Sequence, residues 1–143
     1  MDEERAAPFD REPRCWRCGK KLAEHQGLQW MLADMNVRLT AARALIHRAA
    51  ANGGAGFPDA LEAAQAKVFA ADTAVAVTND ALQMFGAAGY SRLNPQERAV
   101  RDARMFTIGG GTAQILRTLI ASRILGRKLP QTRDGYSRTT SDV

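Results

Sequence analysis

Residues 83–125 read QMFGAAGYSRLNPQERAVRDARMFTIGGGTAQILRTLIASRIL. Glycine punctuates this stretch twice, at Gly86 and Gly89 and again at Gly109-Gly110-Gly111. Between and after the breaks, apolar residues recur at helical spacing. Asn94-Pro95-Gln96-Glu97 has the composition of a helix start. Asn94 would be the N-cap, Pro95 would occupy the first position, where its missing N–H does no harm, and Glu97 would reach back as in a capping box. Ala99, Ala103 and Phe106 follow on that helix, which the triple glycine stops. Thr112 then predicts a hydroxyl cap on a last helix. Its buried face would be Ile115, Leu116, Leu119, Ile120 and Ile124, and Gly126 would close it.

Upstream, Leu28, Leu32, Met35, Leu39, Ala42, Ile46 and Ala49 alternate steps of four and three, which places them on one helix face. Asn52-Gly53-Gly54-Ala55-Gly56 breaks that helix. Pro58 is expected in the first turn of the next one. Leu61, Ala64, Val68, Ala71, Val75, Thr78, Leu82 and Phe85 continue the same spacing, and the small members of this stripe imply close approach of a neighbouring helix. Aromatic residues make up only 6% of the chain and alanine is abundant, which suits helix-on-helix packing. The fold expected is all-α: an antiparallel helical bundle of two long and two shorter helices. Residues 18–126 would form this domain, with an irregular polar extension at 1–17 and a polar tail at 127–143.

The formal charge of +5 and pI near 9.8 invite a nucleic-acid reading. The basic residues form no block, however: Arg38, Arg43, Arg48, Arg98, Arg101, Arg104, Arg117 and Arg123 are spread along the helices, as on a solvated surface. No nucleic-acid partner is expected. No apolar run approaches the ~20 residues that cross a bilayer, and the first residues lack the apolar core of a secretion signal, so no membrane span and a cytoplasmic location are expected. Cys15-Trp16-Arg17-Cys18-Gly19 has the shape of a zinc knuckle. A structural zinc takes four ligands, and only His25 and His47 remain to complete one. A redox pair of this spacing would want a βαβ context. Two thiols without a metal are the expectation.

Four pieces in order, Cys18-Gly19-Lys20-Lys21-Leu22 through Gln26, Gln83-Met84-Phe85-Gly86-Ala87-Ala88-Gly89-Tyr90, Arg101-Asp102-Ala103-Arg104 and Gly111-Thr112-Ala113-Gln114-Ile115, together resemble the C-terminal helical domain of the acyl-CoA dehydrogenase family. The family's versions are F-G-K-P-L-x-x-x-Q, Q-x-x-G-G-x-G-[YF], R-D-A-[KR] and G-T-x-x-[IV]. The resemblance implies FAD, lying between subunits of a homo- or hetero-oligomer of similar chains, and an acyl-CoA substrate dehydrogenated at the α and β carbons. It implies flavin contacts from His25 and Gln26, from Gln83, Met84, Phe85, Gly86 and Ala87, and from Thr112 and Gln114, with Gly111 beside the substrate. The residues themselves are compatible with this. Gly86 and Gly89 would let backbone N–H groups approach a bulky ligand, and a helix N-terminus at Thr112 favours phosphate or polarised oxygen.

The same comparison exposes departures. In many members the base that removes the α-proton is the glutamate of an E-G-T sequence, and here Gly110-Gly111-Thr112 stands in its place. Other members keep the base on an earlier helix, which would lie before residue 18. The family's arginine and phenylalanine around the F-G turn correspond to Cys15 and Cys18. The first bundle helix and the two other family domains have no counterpart in these residues. No catalytic residue is therefore assigned. The chain is expected to be a part that is not competent alone; the alternative is a non-catalytic partner that completes the FAD site of a fuller subunit.

Overall fold

The computed structural model describes residues 18–129, so the expectations for 1–17 and for the last fourteen residues lie outside the described residues. A 3-10 turn, Leu22–Glu24, precedes four helices: α1 Gln26–Gly53, α2 Ala60–Tyr90, α3 Gln96–Met105 and α4 Ala113–Ile124. The fold is all-α, as expected. Two units divide the chain between Val37 and Arg38, within α1.

In the first unit, the His25 amide donates to the Leu22 carbonyl at 3.1 Å, closing the 3-10 turn. The Gln29 side chain donates to the Ala23 carbonyl at 2.7 Å and ties this turn to the start of α1. Along α1 the buried residues are Met35 in this unit and Ala42 and Ala49 in the second, each seven after the last, on the stripe the spacing predicts.

In the second unit, the end of α1 meets the start of α2 through Glu62. Its carboxylate accepts from Asn52 Nδ2 at 3.0 Å on either oxygen and lies 3.6 Å from the Arg48 guanidinium. Consecutive helices are thus antiparallel here. The start of α2 differs from the expectation placed on Pro58. Asp59 is the N-cap, its carboxylate accepting from the amides of Leu61 at 2.8 Å and Glu62 at 3.3 Å. An anionic acceptor satisfies two of the orphan N–H groups and opposes the helix dipole, whereas proline only tolerates such a position.

α2 packs against both α3 and α4. Ala64 and Ala71 are buried on the expected stripe, and Ala66, Thr73 and Met84 are buried off it. A central helix has neighbours on more than one side, so a single-stripe reading finds less than half of its core. At Gly86 the backbone leaves the helix (φ 56, ψ −139), which marks the expected break.

The start of α3 is a second correction. Pro95 occupies the cap position with no side-chain bond, and Asn94 instead donates from Nδ2 to the Ala88 carbonyl at 2.8 Å. Glu97 lies 3.9 Å from Arg101 one turn on. The amide of Asn94 is better used holding the end of α2 to the turn. Ala103 is buried, but Phe106 is 51% exposed.

For α4, Thr112 is the N-cap as expected, accepting from the Ile115 amide at 3.3 Å. Ala113 is buried and Leu116, Leu119 and Ile120 are half-buried, while Ile115 and Ile124 are 50% and 72% exposed. The helix lies on α2, and one neighbour covers a narrower stripe than the five residues expected. At its end the Gly126 amide donates to the Arg123 carbonyl at 3.3 Å.

Candidate functional site

The residues singled out in the sequence fall into three places. His25 and Gln26 belong to the first unit. Gln83, Met84, Phe85, Gly86 and Ala87 lie at the end of α2, and Gly110, Gly111, Thr112 and Gln114 lie at the start of α4, both in the second unit.

Lys67 fixes the α4 end. Its ammonium donates to the carbonyls of Phe106 and of Gly109, the latter at 2.9 Å, so the turn between α3 and α4 sits against the early part of α2. Asp72, slightly further along α2, pairs with Arg117 on α4. Gln83 follows Lys67 by 16 residues on the same helix. At 1.5 Å per residue that is about 24 Å. The structure therefore gathers Gly110, Gly111, Thr112 and Gln114 at one end of α2 and places Gln83–Ala87 at the other.

At the α4 end, Gly110 and Gly111 both have left-handed backbone, with φ of 68° and 92°. Only glycine adopts this conformation readily, so the backbone suits the glycine that stands where the resemblance expects a base. The first-turn amides of α4 can be accounted for singly. Ala113 donates to the Thr107 carbonyl at 3.0 Å, Ile115 to the Thr112 hydroxyl, and Leu116 to the Thr112 carbonyl at 3.0 Å. The Gln114 amide has no acceptor among the described residues, and its side chain is exposed. One donor of the helix N-terminus thus remains for a polar ligand, in the field of the helix dipole. The Thr107 hydroxyl is occupied by the Arg104 carbonyl at 2.9 Å, which stiffens the turn below.

At the other end, Gln83, Gly86 and Ala87 are exposed and Phe85 is half-buried. Met84 is buried in the core, so only its backbone could meet a ligand. Gly89 serves a different purpose from the ligand approach expected of it. A Cβ there would lie 2.7 Å from the Leu82 carbonyl oxygen and 2.8 Å from the Phe85 Cβ, so its bareness allows the chain to pack on itself.

His25 is half-buried, with Nε2 at 3.5 Å from the Cys18 sulfur, and Gln26 is exposed. Among the described residues, no three of His, Cys, Asp and Glu cluster closely enough to hold a metal. No helix among them is long and apolar enough to cross a membrane.

Two features escaped the sequence reading. Lys67 is one; its trace is a lone cation in the run Ala63-Ala64-Gln65-Ala66-Lys67, beside buried alanines. The other is an open apolar groove between α2 and α3, lined by Val75, Val100, Met105 and Ile108 with Arg101 and Arg104 at its edge. Only the Arg101-to-Arg104 motif pointed towards it.

The family model described as acyl-CoA dehydrogenase, C-terminal domain, matches residues 16–125. A 3-sulfinopropanoyl-CoA desulfinase of Advenella mimigardefordensis is 66% identical over 124 residues, covering 87% of this chain and 31% of that protein. A short-chain-specific acyl-CoA dehydrogenase of Clostridium acetobutylicum is 42% identical over 106 residues, covering 74% of this chain and 28% of that protein. Among solved structures, butyryl-CoA dehydrogenase from Megasphaera elsdenii superimposes with a TM-score of 0.73 at 38% identity, over 76% of this chain and 28% of that one. The chain thus spans about a third of the length of these relatives. Family members are FAD-binding flavoproteins and form oligomers.

Proposed function

The chain belongs to the acyl-CoA dehydrogenase family, through its C-terminal helical domain, and on that premise we propose that it is part of an FAD-dependent enzyme acting on acyl-CoA thioesters, with 3-sulfinopropanoyl-CoA as substrate. The observation that carries the choice of reaction is Gly110. Dehydrogenation requires a carboxylate within reach of the α-proton. Gly110 supplies none, its left-handed backbone is one that glutamate would adopt only with strain, and dehydrogenation would need the base on the earlier helix that some members use. Desulfination breaks a different bond, the one between C3 and sulfur. The sulfinate and water become sulfite, a proton and propanoyl-CoA, and no hydrogen leaves C2. The identity of 66% to a desulfinase against 42% to a dehydrogenase supports the same choice.

In this reading the flavin is held by the Gln114 amide and side chain with Thr112 at one end of α2, and by Gln83 to Ala87 at the other; the resemblance separately implies flavin contacts from His25 and Gln26. The separation of about 24 Å along α2 favours drawing the two sets from different chains of an oligomer. The test is to purify the polypeptide carrying this segment with FAD and supply 3-sulfinopropanoyl-CoA. Sulfite and propanoyl-CoA should appear in equal amounts, with no electron-acceptor reduction when butanoyl-CoA is supplied instead. Acceptor reduction without sulfite release would overturn the assignment.

The 143-residue chain by itself is expected to bind FAD weakly and to turn nothing over. A second reading rests on the same separation: the chain completes the flavin site of a fuller related subunit without catalysing anything. Co-purification with such a subunit and a rise in its flavin content would support that reading; a monomer that leaves flavin content unchanged would end it.

A further inference from the structure

The second unit has an apolar face that its own helices leave open. α3 rests on α2 with Ala103 as its buried residue. Val100, Arg101, Arg104, Met105 and Ile108 fall at helical spacing on one side of α3 and of the turn after it. Together with Val75 on α2 they line the groove between the two helices. Val75 and Val100 are half-buried, while Met105 and Ile108 are 53% and 60% exposed. We propose that this groove docks an acidic amphipathic helix of a partner protein, a role separate from the flavin contacts.

Shape, length and charge each narrow the occupant. The groove has a volume of about 530 Å³, within the ~300–1,000 Å³ of small-molecule sites. Such sites cover most of their ligand, whereas this one is open to solvent, so an acyl chain or metabolite would stay largely in water. A helix needs only one face covered, and lays it into such a groove through residues one turn apart. At helical rise the distance from Val100 to Ile108 is about 12 Å, which matches two turns of a partner helix. The rim sets the sign of that partner. Arg98 pairs with Asp102 and Arg101 with Glu97, each at 3.9 Å on an exposed surface, where such pairs are weak. Arg104 has no carboxylate partner among the described residues. On the α2 side, Asp72 is engaged by Arg117 of α4. The groove edge therefore presents one unpaired and one weakly paired guanidinium, whose donor forks match the carboxylates of Asp and Glu. Phosphate would suit the guanidiniums equally, but a duplex would set its charged backbone against Val100, Met105 and Ile108 and gain nothing from them.

The experiment titrates the 143-residue chain into a fluorescent helical peptide of about 15–20 residues, long enough to fold. The peptide carries leucines spaced four and three apart with glutamates beside them. The same peptide with lysine for every glutamate is the charge control, and a duplex DNA is the phosphate control. The acidic peptide should bind at least about tenfold more tightly than the lysine peptide, and more weakly as salt is raised. Arg101→Glu with Arg104→Glu should weaken binding at least about tenfold, because two attractive contacts become repulsive. Ile108→Ser should weaken it about tenfold through lost apolar burial. Ile108 is exposed, so its replacement leaves the helices intact, and far-UV circular dichroism checks each variant. Arg123→Glu, the same charge change on exposed α4, should leave the affinity unchanged. Absence of acidic-peptide binding overturns the proposal, as does binding that survives Ile108→Ser or the double arginine change, or that falls equally in Arg123→Glu. Tighter binding of the duplex would overturn it in favour of a phosphate-binding surface. Dimerisation of the chain that Ile108→Ser abolishes would overturn it in favour of a second copy.

Discussion

Substituting Gly110 tests both the turn and the functional reading. Its φ is 68°, and an added Cβ would meet only the Lys67 Cε, at 3.9 Å, an ordinary contact. Steric overlap therefore contributes nothing, and the penalty for alanine is conformational. Left-handed backbone costs an L-residue about 1–2 kcal/mol. Alanine also has less freedom than glycine in the unfolded chain, which returns about 0.4–1 kcal/mol. Gly110→Ala should thus lower stability by about 1 kcal/mol net. Gly110→Glu has the same backbone term, and the nearby Lys67 ammonium can offset at most about 1 kcal/mol of it, because exposed pairs are weak. That ammonium is also engaged with the Phe106 and Gly109 carbonyls. Urea unfolding followed by circular dichroism measures both variants, with the slope expected to stay constant. A Gly110→Ala variant as stable as the parent would show that the turn is not held left-handed. The functional corollary is that Gly110→Glu should not confer acceptor reduction with butanoyl-CoA. Reduction by that variant would refute the proposed link between this turn and desulfination.

Other substitutions test the surrounding geometry. Lys67→Met removes two charge-assisted bonds at the end of α3 and should cost about 2 kcal/mol, with faster amide exchange at Ile108 and Gly109; unchanged exchange there would deny Lys67 its role. Gly89→Ala places a Cβ against the Leu82 carbonyl and should cost about 1–3 kcal/mol, read as a lower thermal midpoint, whereas an unmoved midpoint would mean the α2 end is looser than described. Asp59→Ala should cost about 1 kcal/mol as a lost N-cap, and Pro58→Ala clearly less. The reverse order, measured by urea unfolding, would restore Pro58 as the helix start.

Much of the fold was legible because helical signals are local. Met35, Ala42 and Ala49 were found by period, Gly86 by its breaking character, and Thr112 by the hydroxyl that caps α4. Where two residues compete for one end, composition does not decide. Asp59 prevailed over Pro58 because its carboxylate reaches two amides, and Asn94 was drawn to the Ala88 carbonyl. Exposure of Ile115 and Ile124 was likewise illegible, since it depends on how many neighbours α4 has.

The sequence by itself determined the helices and the family resemblance. These rest on backbone preferences and spacings that act within one or two turns. Only the tertiary structure decided that Lys67 holds a turn some forty residues away and that the α4 start lies at the opposite end of α2 from Gln83. It also decided that the His25 ring returns to the Cys18 sulfur. Such contacts follow from where the folded chain brings its segments together, and no local propensity encodes that distance.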